Sequence, residues 1–220
     1  MANYKIEPAL LDDLIPKGTE LDLYQGECYL SLVAFKFLDT AVMGMKIPFH
    51  TNFEEINLRF YVQRKVAEET RRGVVFIKEI VSRQAICWVA NTIYGENYEF
   101  WRTGYEESEN EIGYYWSRGE NEHALSVEYQ GSIGVPADSS REAFITEHYW
   151  GYTKRSERRT DEYLVEHPKW ELFEINYAEI EVDFAEVYGE RFAFLSDAEP
   201  DSVLLASGSE ISVYRGQRMV

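Results

Sequence analysis

Ile47-Pro48-Phe49-His50-Thr51-Asn52-Phe53-Glu54-Glu55-Ile56-Asn57-Leu58-Arg59-Phe60-Tyr61-Val62 decides how this chain is read. From Glu55 the residues alternate, with Glu55, Asn57, Arg59, Tyr61 and Gln63 on one side and Ile56, Leu58, Phe60 and Val62 on the other. A period of two means a strand with one apolar and one polar face. Solvated strand faces are usually built from Lys, Thr, Glu and Ser. A carboxylate, an amide, a guanidinium and a phenol in one row is also what the wall of a polar cavity looks like. Just upstream, Pro48 fixes the backbone and His50 adds a group that titrates near neutrality. His50, Glu55, Asn57, Arg59 and Tyr61 are therefore candidate ligand-binding residues, with Arg83 as a further candidate after the next strand. Arg suits a carboxylate or another anion, Glu and Asn suit donors, and Tyr supplies an aromatic floor. The competing reading is a solvated ladder in which Glu and Arg satisfy each other and Tyr61 packs across strands.

Working outward, Cys28 to Phe37 is apolar on both faces and reads as a central strand. Gly73 feeds a further strand, Val74 to Val81, whose alternation sets Lys78 beside Phe76 and Ile80. Ala85 to Tyr94 changes period and is apolar nearly all round, which predicts the most buried helix of the chain, closed by Gly95 at C′. Strands near 97–104, 112–118 and 123–131 read as a meander. Ser139-Ser140-Arg141-Glu142 resembles a capping box opening a helix to about Tyr149. Trp150–Ser156 and Tyr163–Pro168 form a strand pair, Trp170–Phe184 an extended strand, Asp183–Gly189 a short helix, and Ser202–Ala206 with Ile211–Tyr214 a closing hairpin. Pro8 to Leu14 is a short helical segment at the other end. No linker-like stretch or internal repeat interrupts the chain, so a single domain over residues 1–220 is expected.

The runs SLVAFKFLDT (31–40), IPFHTNFEEINLRFYV (47–62) and RRGVVFIKEIVSR (71–83) resemble the bacterial YqjF-like proteins, a family of unknown function grouped remotely with the acetoacetate decarboxylases. The resemblance implies a mainly β (α+β) fold, an antiparallel sheet curved into a cone-shaped barrel around a central cavity, with a few helices. It implies no established activity. The decarboxylases form a Schiff base through a lysine of lowered pKa, carried on a Pro-Lys-Lys turn after a carboxylate-bearing strand, a second strand and a helix. The matching turn here is Tyr94-Gly95-Glu96-Asn97-Tyr98, without a lysine. Decarboxylase chemistry is accordingly not expected. Lys78, desolvated in its strand, is one substitute amine, against the alternative of an edge-facing or Glu-paired lysine. Lys154-Arg155 resembles the missing turn in letters but lies roughly sixty residues too late.

Composition narrows the function classes. Aromatics are plentiful (Tyr 16, Phe 12, Trp 5) and favour strands. Thirty-nine acidic against 22 basic residues give a formal charge of -17, which repels phosphate backbones and anionic membranes. Neither nucleic acid nor membrane is an expected partner. Cys28 and Cys87 sit in apolar runs without metal-ligand spacing and read as buried free thiols of a reducing cytoplasm. The first residues lack a signal peptide's basic start and apolar core. The four histidines are scattered, Glu54 and Glu55 point to opposite sides, and no GxGxxG, Walker, GxSxG or Cys-His pattern occurs, so neither metal nor cofactor is expected. The expectation is a cytoplasmic protein that binds a small polar or carboxylate-bearing molecule inside its sheet. One alternative is a lyase- or hydrolase-type enzyme on a small organic acid, with Glu55 as acid/base and Arg59 on the carboxylate. The other is an interaction module that works through its acidic, aromatic surface.

Overall fold

The alternating stretch folds into the strand that carries the molecule's centre, and its neighbours follow from register. In a computed structural model, which describes residues 1–38, 41–42, 45–46 and 52–219, β1 (Ala2–Ile6), β2 (Cys28–Phe37), β3 (Phe53–Val66) and β4 (Glu69–Val81) lie side by side and antiparallel. Tyr4 faces Leu30, Leu32 faces Leu58, and Asn57 faces Glu79. After α1 (Gln84–Val89), the short strand β5 (Tyr98–Phe100) pairs parallel with β4. β6 (Arg102–Glu107), β7 (Glu111–Arg118) and β8 (Asn121–Gly134) form the expected meander. Beyond α2 (Arg141–Thr146), β9 (Trp150–Ser156) pairs, again parallel, with Gly73–Val74 of β4 on the same edge as β5, and β10 (Arg159–Glu166) pairs with β9. β11 (Leu172–Glu181) pairs with β8 and completes a second sheet. The fold is mainly β with curved sheets, antiparallel apart from these two parallel pairings among the described residues, and the main strand order of the larger sheet runs from Ser202–Val203 to Ser212–Val213.

Burial explains the alternation. Ile56, Leu58, Phe60 and Val62 are fully buried against β1, β2, Trp116 of β7 and Leu125 of β8. The helix α3 (Phe184–Tyr188), N-capped by the Asp183 side chain, seals that layer. Each such side chain contributes about 1.5–3 kcal/mol relative to exposure, so a one-residue slip of β3 would forfeit the whole set at once. The opposite face is buried as well: Glu55 and Asn57 are 2% and 1% exposed. The solvated-ladder reading is thereby overturned.

Two expectations about helices and ends need correction. The segment after β4 is helical, but it runs from Gln84, and its last turn, Ala90–Tyr94, loosens into π geometry before Gly95 at φ 68°. It is not the most buried helix. Ile86, Cys87 and Ala90 face inward while Trp88 is 69% exposed, because one side of a helix lying on a sheet faces solvent however apolar it is. α2, capped by Ser140 and burying Ala143 through Thr146, is the more enclosed. The closing hairpin also fails. Ser202–Val203 pairs with β1, Leu205–Ala206 with β11 and Ser212–Val213 with β10, so the C-terminal residues stitch three different strands.

Candidate functional site

The inward face of β3 is bracketed by two apolar plugs. At one end Phe144 and Ile145 of α2 pack with Tyr29, Tyr61 and Val74. At the other, Ile86 and Cys87 of α1 pack with Phe53 and Val81. Between them the strand presents Glu55, Asn57 and Arg59, with Val33 and Ser31 of β2 opposite Asn57 and Arg59. Apolar ends around a polar middle keep the middle dry, which raises the energetic stakes of every group in it.

A bulge builds the rest. Leu58 faces Lys78 but Arg59 faces Phe76, so Ile77 is the extra residue on β4. Its carbonyl accepts from Asn97 Nδ2 at 2.8 Å, and the Glu79 amide donates to the Asn97 carbonyl at 3.0 Å. Asn91 holds the same turn through paired bonds to the Tyr98 backbone of 2.8 and 2.9 Å. The turn after α1 is thus fastened to the strand beside the site, and it delivers Glu96 and Tyr98 there. Tyr98 donates to Glu55 Oε2 at 2.8 Å, Asn57 donates to Glu55 Oε1 at 3.0 Å, and Thr153 of β9 donates to Glu96 Oε1 at 2.6 Å. Tyr163 of β10, whose ring lies against Gly151, also bonds Glu96.

Buried Glu55 and Glu79 therefore meet a half-buried Glu96. Burial pushes Glu55 up to about 7, against the pull of Tyr98, Asn57 and Arg59. Burial also raises Glu96 to about 7, opposed by the Thr153 and Tyr163 hydrogen bonds. Glu79 rises further, through burial first and the charges of Glu96 and Glu55 second. Each group then holds a proton at pH values where an exposed carboxyl has lost it. The Tyr98 and Tyr163 hydroxyls are pushed up by burial and by the same carboxylates. Two acceptors in this dry layer have no hydrogen-bond partner among the described residues, Asn57 Oδ1 and Glu79 Oε2.

The sequence-derived residues divide clearly. Glu55, Asn57, Arg59 and Tyr61 share the inward face as expected. Arg59 is half-buried, lies 5.8 Å above the Tyr61 ring and 3.9 Å from Met1 Sδ, and its Nε has no hydrogen-bond partner among the described residues. Tyr61 is engaged structurally, bonding Ser31 Oγ at 2.6 Å and packing its ring at a tilt against His148. His50 lies outside the described residues. Arg83 precedes α1 at its N-terminus and bonds none of the row among the described residues. Lys78 is a correction as an amine for this site. It points to the opposite face, where Nζ donates to the Val187 carbonyl at 2.6 Å and pairs with Glu99 at 2.9 Å. Lys154 bonds the Asp13 carbonyl and pairs with Glu157. Cys28 and Cys87 are buried free thiols, and among the described residues no cluster of acids, His and Cys is placed to hold a metal. A groove of about 1240 Å³ near Thr70, Glu147 and His167 shares none of the interior residues. No helix among the described residues is long and apolar enough to cross a membrane.

Sequence reasoning missed Glu79, Glu96, Tyr98, Thr153 and Tyr163. Glu79 was findable, since a carboxylate inside the apolar run Val74–Val81 needs a reason. Glu96 stands in the very turn searched for lysine.

Comparisons with known proteins agree with this architecture. Residues 1–210 match DUF2071, described as an uncharacterised conserved protein. YqjF of Bacillus subtilis (strain 168), itself uncharacterised, is 25% identical over 186 residues, covering 83% of this chain and 74% of that protein. Among solved structures, acetoacetate decarboxylase from Legionella pneumophila aligns at TM-score 0.61 and 11% identity over 99% of this chain and 79% of its own. The enduracididine biosynthesis enzyme MppR complexed with pyruvate aligns at TM-score 0.59 and 10% identity over 99% and 81%. These structural likenesses show the fold. The chain belongs to the DUF2071 family, a YqjF-like group that shares the acetoacetate decarboxylase-like fold.

Proposed function

We propose that this protein binds a small carboxylate-bearing molecule on the inward face of β3, with Arg59 taking the anionic end, in a single unit spanning the chain and acting in the cytoplasm. The observation that carries the reading is Arg59 itself. A half-buried guanidinium sits beside this buried layer, its Nε without a hydrogen-bond partner among the described residues, and it meets Glu55 only through the electrostatic pull on that carboxyl, with no ion-pair contact among the described residues. A partly buried guanidinium without a hydrogen-bonded carboxylate is costly, and an anionic ligand relieves that cost with a geometry Arg is shaped for. The structural neighbour MppR is known with pyruvate, a small carboxylate, bound. Glu55, raised to about 7, favours an extension of the same reading, in which the bound acid is also turned over by general acid/base chemistry. Thermal-shift screening against small carboxylic acids tests the proposal. A set of stabilising acids is expected for the wild type, and Arg59→Ala should remove the stabilisation while itself lowering stability only modestly. Stabilisation that survives Arg59→Ala would end the reading.

A further inference from the structure

We propose that the Asn57–Glu79 pair receives a protonated primary amine, so that the ligand of this site is a zwitterion, an amino acid rather than a simple carboxylic acid. This rests on the Arg59 reading above and adds the ligand's other end.

Asn57 Oδ1 and Glu79 Oε2 are both buried, both lack a hydrogen-bond partner among the described residues, and both can accept. They belong to residues directly opposite each other on β3 and β4, hence on one face and side by side. Asn57 Nδ2 already donates to Glu55 at 3.0 Å, which aims the amide oxygen away from Glu55. Two convergent acceptors call for a group with several donors, and an ammonium has three. The acid excess points the same way. Glu55, Glu79 and Glu96 gather here, while Arg155 is engaged with Asp161 at 3.0 Å. A cationic ligand group lets a carboxyl of this cluster ionise without an uncompensated buried charge. Arg59 lies two residues from Asn57 on the same face, about 7 Å along the strand. That spacing suits a molecule whose charges are a few ångströms apart.

Binding then carries a proton balance. Docking of the ammonium stabilises the ionised form of Glu79, which burial and the neighbouring carboxylates disfavour in the free protein, so the proton of its O–H bond goes to solvent and no other bond changes. The chemistry excludes hydroxy and keto acids as best ligands, since neither brings a cation.

The test is isothermal titration on the full chain. Probes are the common α-amino acids, β-alanine and γ-aminobutyrate, each matched with its des-amino acid and its decarboxylated amine. We expect at least one amino acid to bind about 10- to 100-fold more tightly than either partner, the range for a hydrogen-bonded charge. Its binding should release protons when heats in phosphate and Tris buffers are compared. Glu79→Gln should abolish the preference for the amine and the proton release. If acids bind equally with and without the amine, the zwitterion is wrong and the Arg59 reading stands. If amines bind alone and Arg59→Ala changes nothing, the Asn57–Glu79 assignment holds and the Arg59 reading fails. If none of the probes binds, both fail.

Discussion

Asn57 and Glu79 stand opposite each other on β3 and β4, and each buries one oxygen with no hydrogen-bond partner among the described residues. Nearby groups show how readily the same fold satisfies polar atoms when nothing else is asked of them. Ser31 bonds Asn3 and Tyr61 at 2.6 Å each, and Asp22 takes both Arg72 and His148. Leaving a buried acceptor unmet costs about 1–3 kcal/mol, so the pair is a local loss of stability at the point where a ligand is proposed.

The first prediction follows from Glu79. Its folded pKa is raised above the unfolded value near 4.5. The folded state therefore holds the proton longer, and stability present below about pH 4.5 is lost as pH rises. Glu79→Gln keeps the shape and cannot ionise. Thermal melts should show the variant gaining on the order of 1–3 kcal/mol over wild type at pH 8 and nothing at pH 4.5. Equal curves at both pH values would show that Glu79 ionises freely in the folded state.

His148 gives the opposite slope. Burial lowers its pKa to about 4, against the hydrogen bond to Asp22. Its folded value lies below the unfolded one of 6.5, so the neutral ring's stability is lost as pH falls from about 6.5 through about 4, worth on the order of 3 kcal/mol. His148→Phe keeps an aromatic against Tyr61 and Phe144, whose rings lie 4.6 and 5.2 Å away. The variant's melting temperature should fall less than wild type's between pH 6.5 and 4.

How far the sequence carried is visible in these residues. Period two in Glu55–Val62 located the central strand and its core face, because alternation is set by the pleat and survives any tertiary context. It left open where the polar face points, since Glu and Arg in a row look alike in water and in a cavity. The answer needed α1 and α2 closing over the ends. Glu96, Thr153 and Tyr163 come from elements far apart in the chain, and only the Ile77 bulge and the Asn97 bonds bring that turn alongside. Trp88 misled for a related reason, as helical apolarity reports what a residue tolerates and not what lies next to it.

The fold invites a test for imine chemistry. Lys78 and Lys154 are both held by backbone carbonyls, at Val187 and Asp13, and both are ion-paired away from the interior acids. Incubation with acetoacetate or pyruvate and borohydride, followed by mass spectrometry, should give no adduct on either lysine. An adduct on Lys78 would mean that its pairing with Glu99 opens in solution and that a relocated amine serves this fold.

The last prediction concerns the turn that carries Glu96. Gly95 has φ 68°, a left-handed conformation that costs a residue with a Cβ about 1–2 kcal/mol. An added Cβ would also lie 1.1 Å from Arg155 Nη1, so the guanidinium that bonds Asp161 at 3.0 Å must move. Gly95→Ala should therefore lower stability by about 2–4 kcal/mol, combining backbone strain with loss of packing. Because Asn97 ties the turn to the Ile77 carbonyl, the displacement should be felt at Glu96 and Tyr98 as well. Glu55, which accepts from Tyr98 at 2.8 Å, would lose a hydrogen bond that holds its pKa down. Carboxyl titration by carbon-13 NMR should then show Glu55 rising above its wild-type value in Gly95→Ala. An unchanged Glu55 titration beside a clear loss of stability would mean that the turn and the strand move independently.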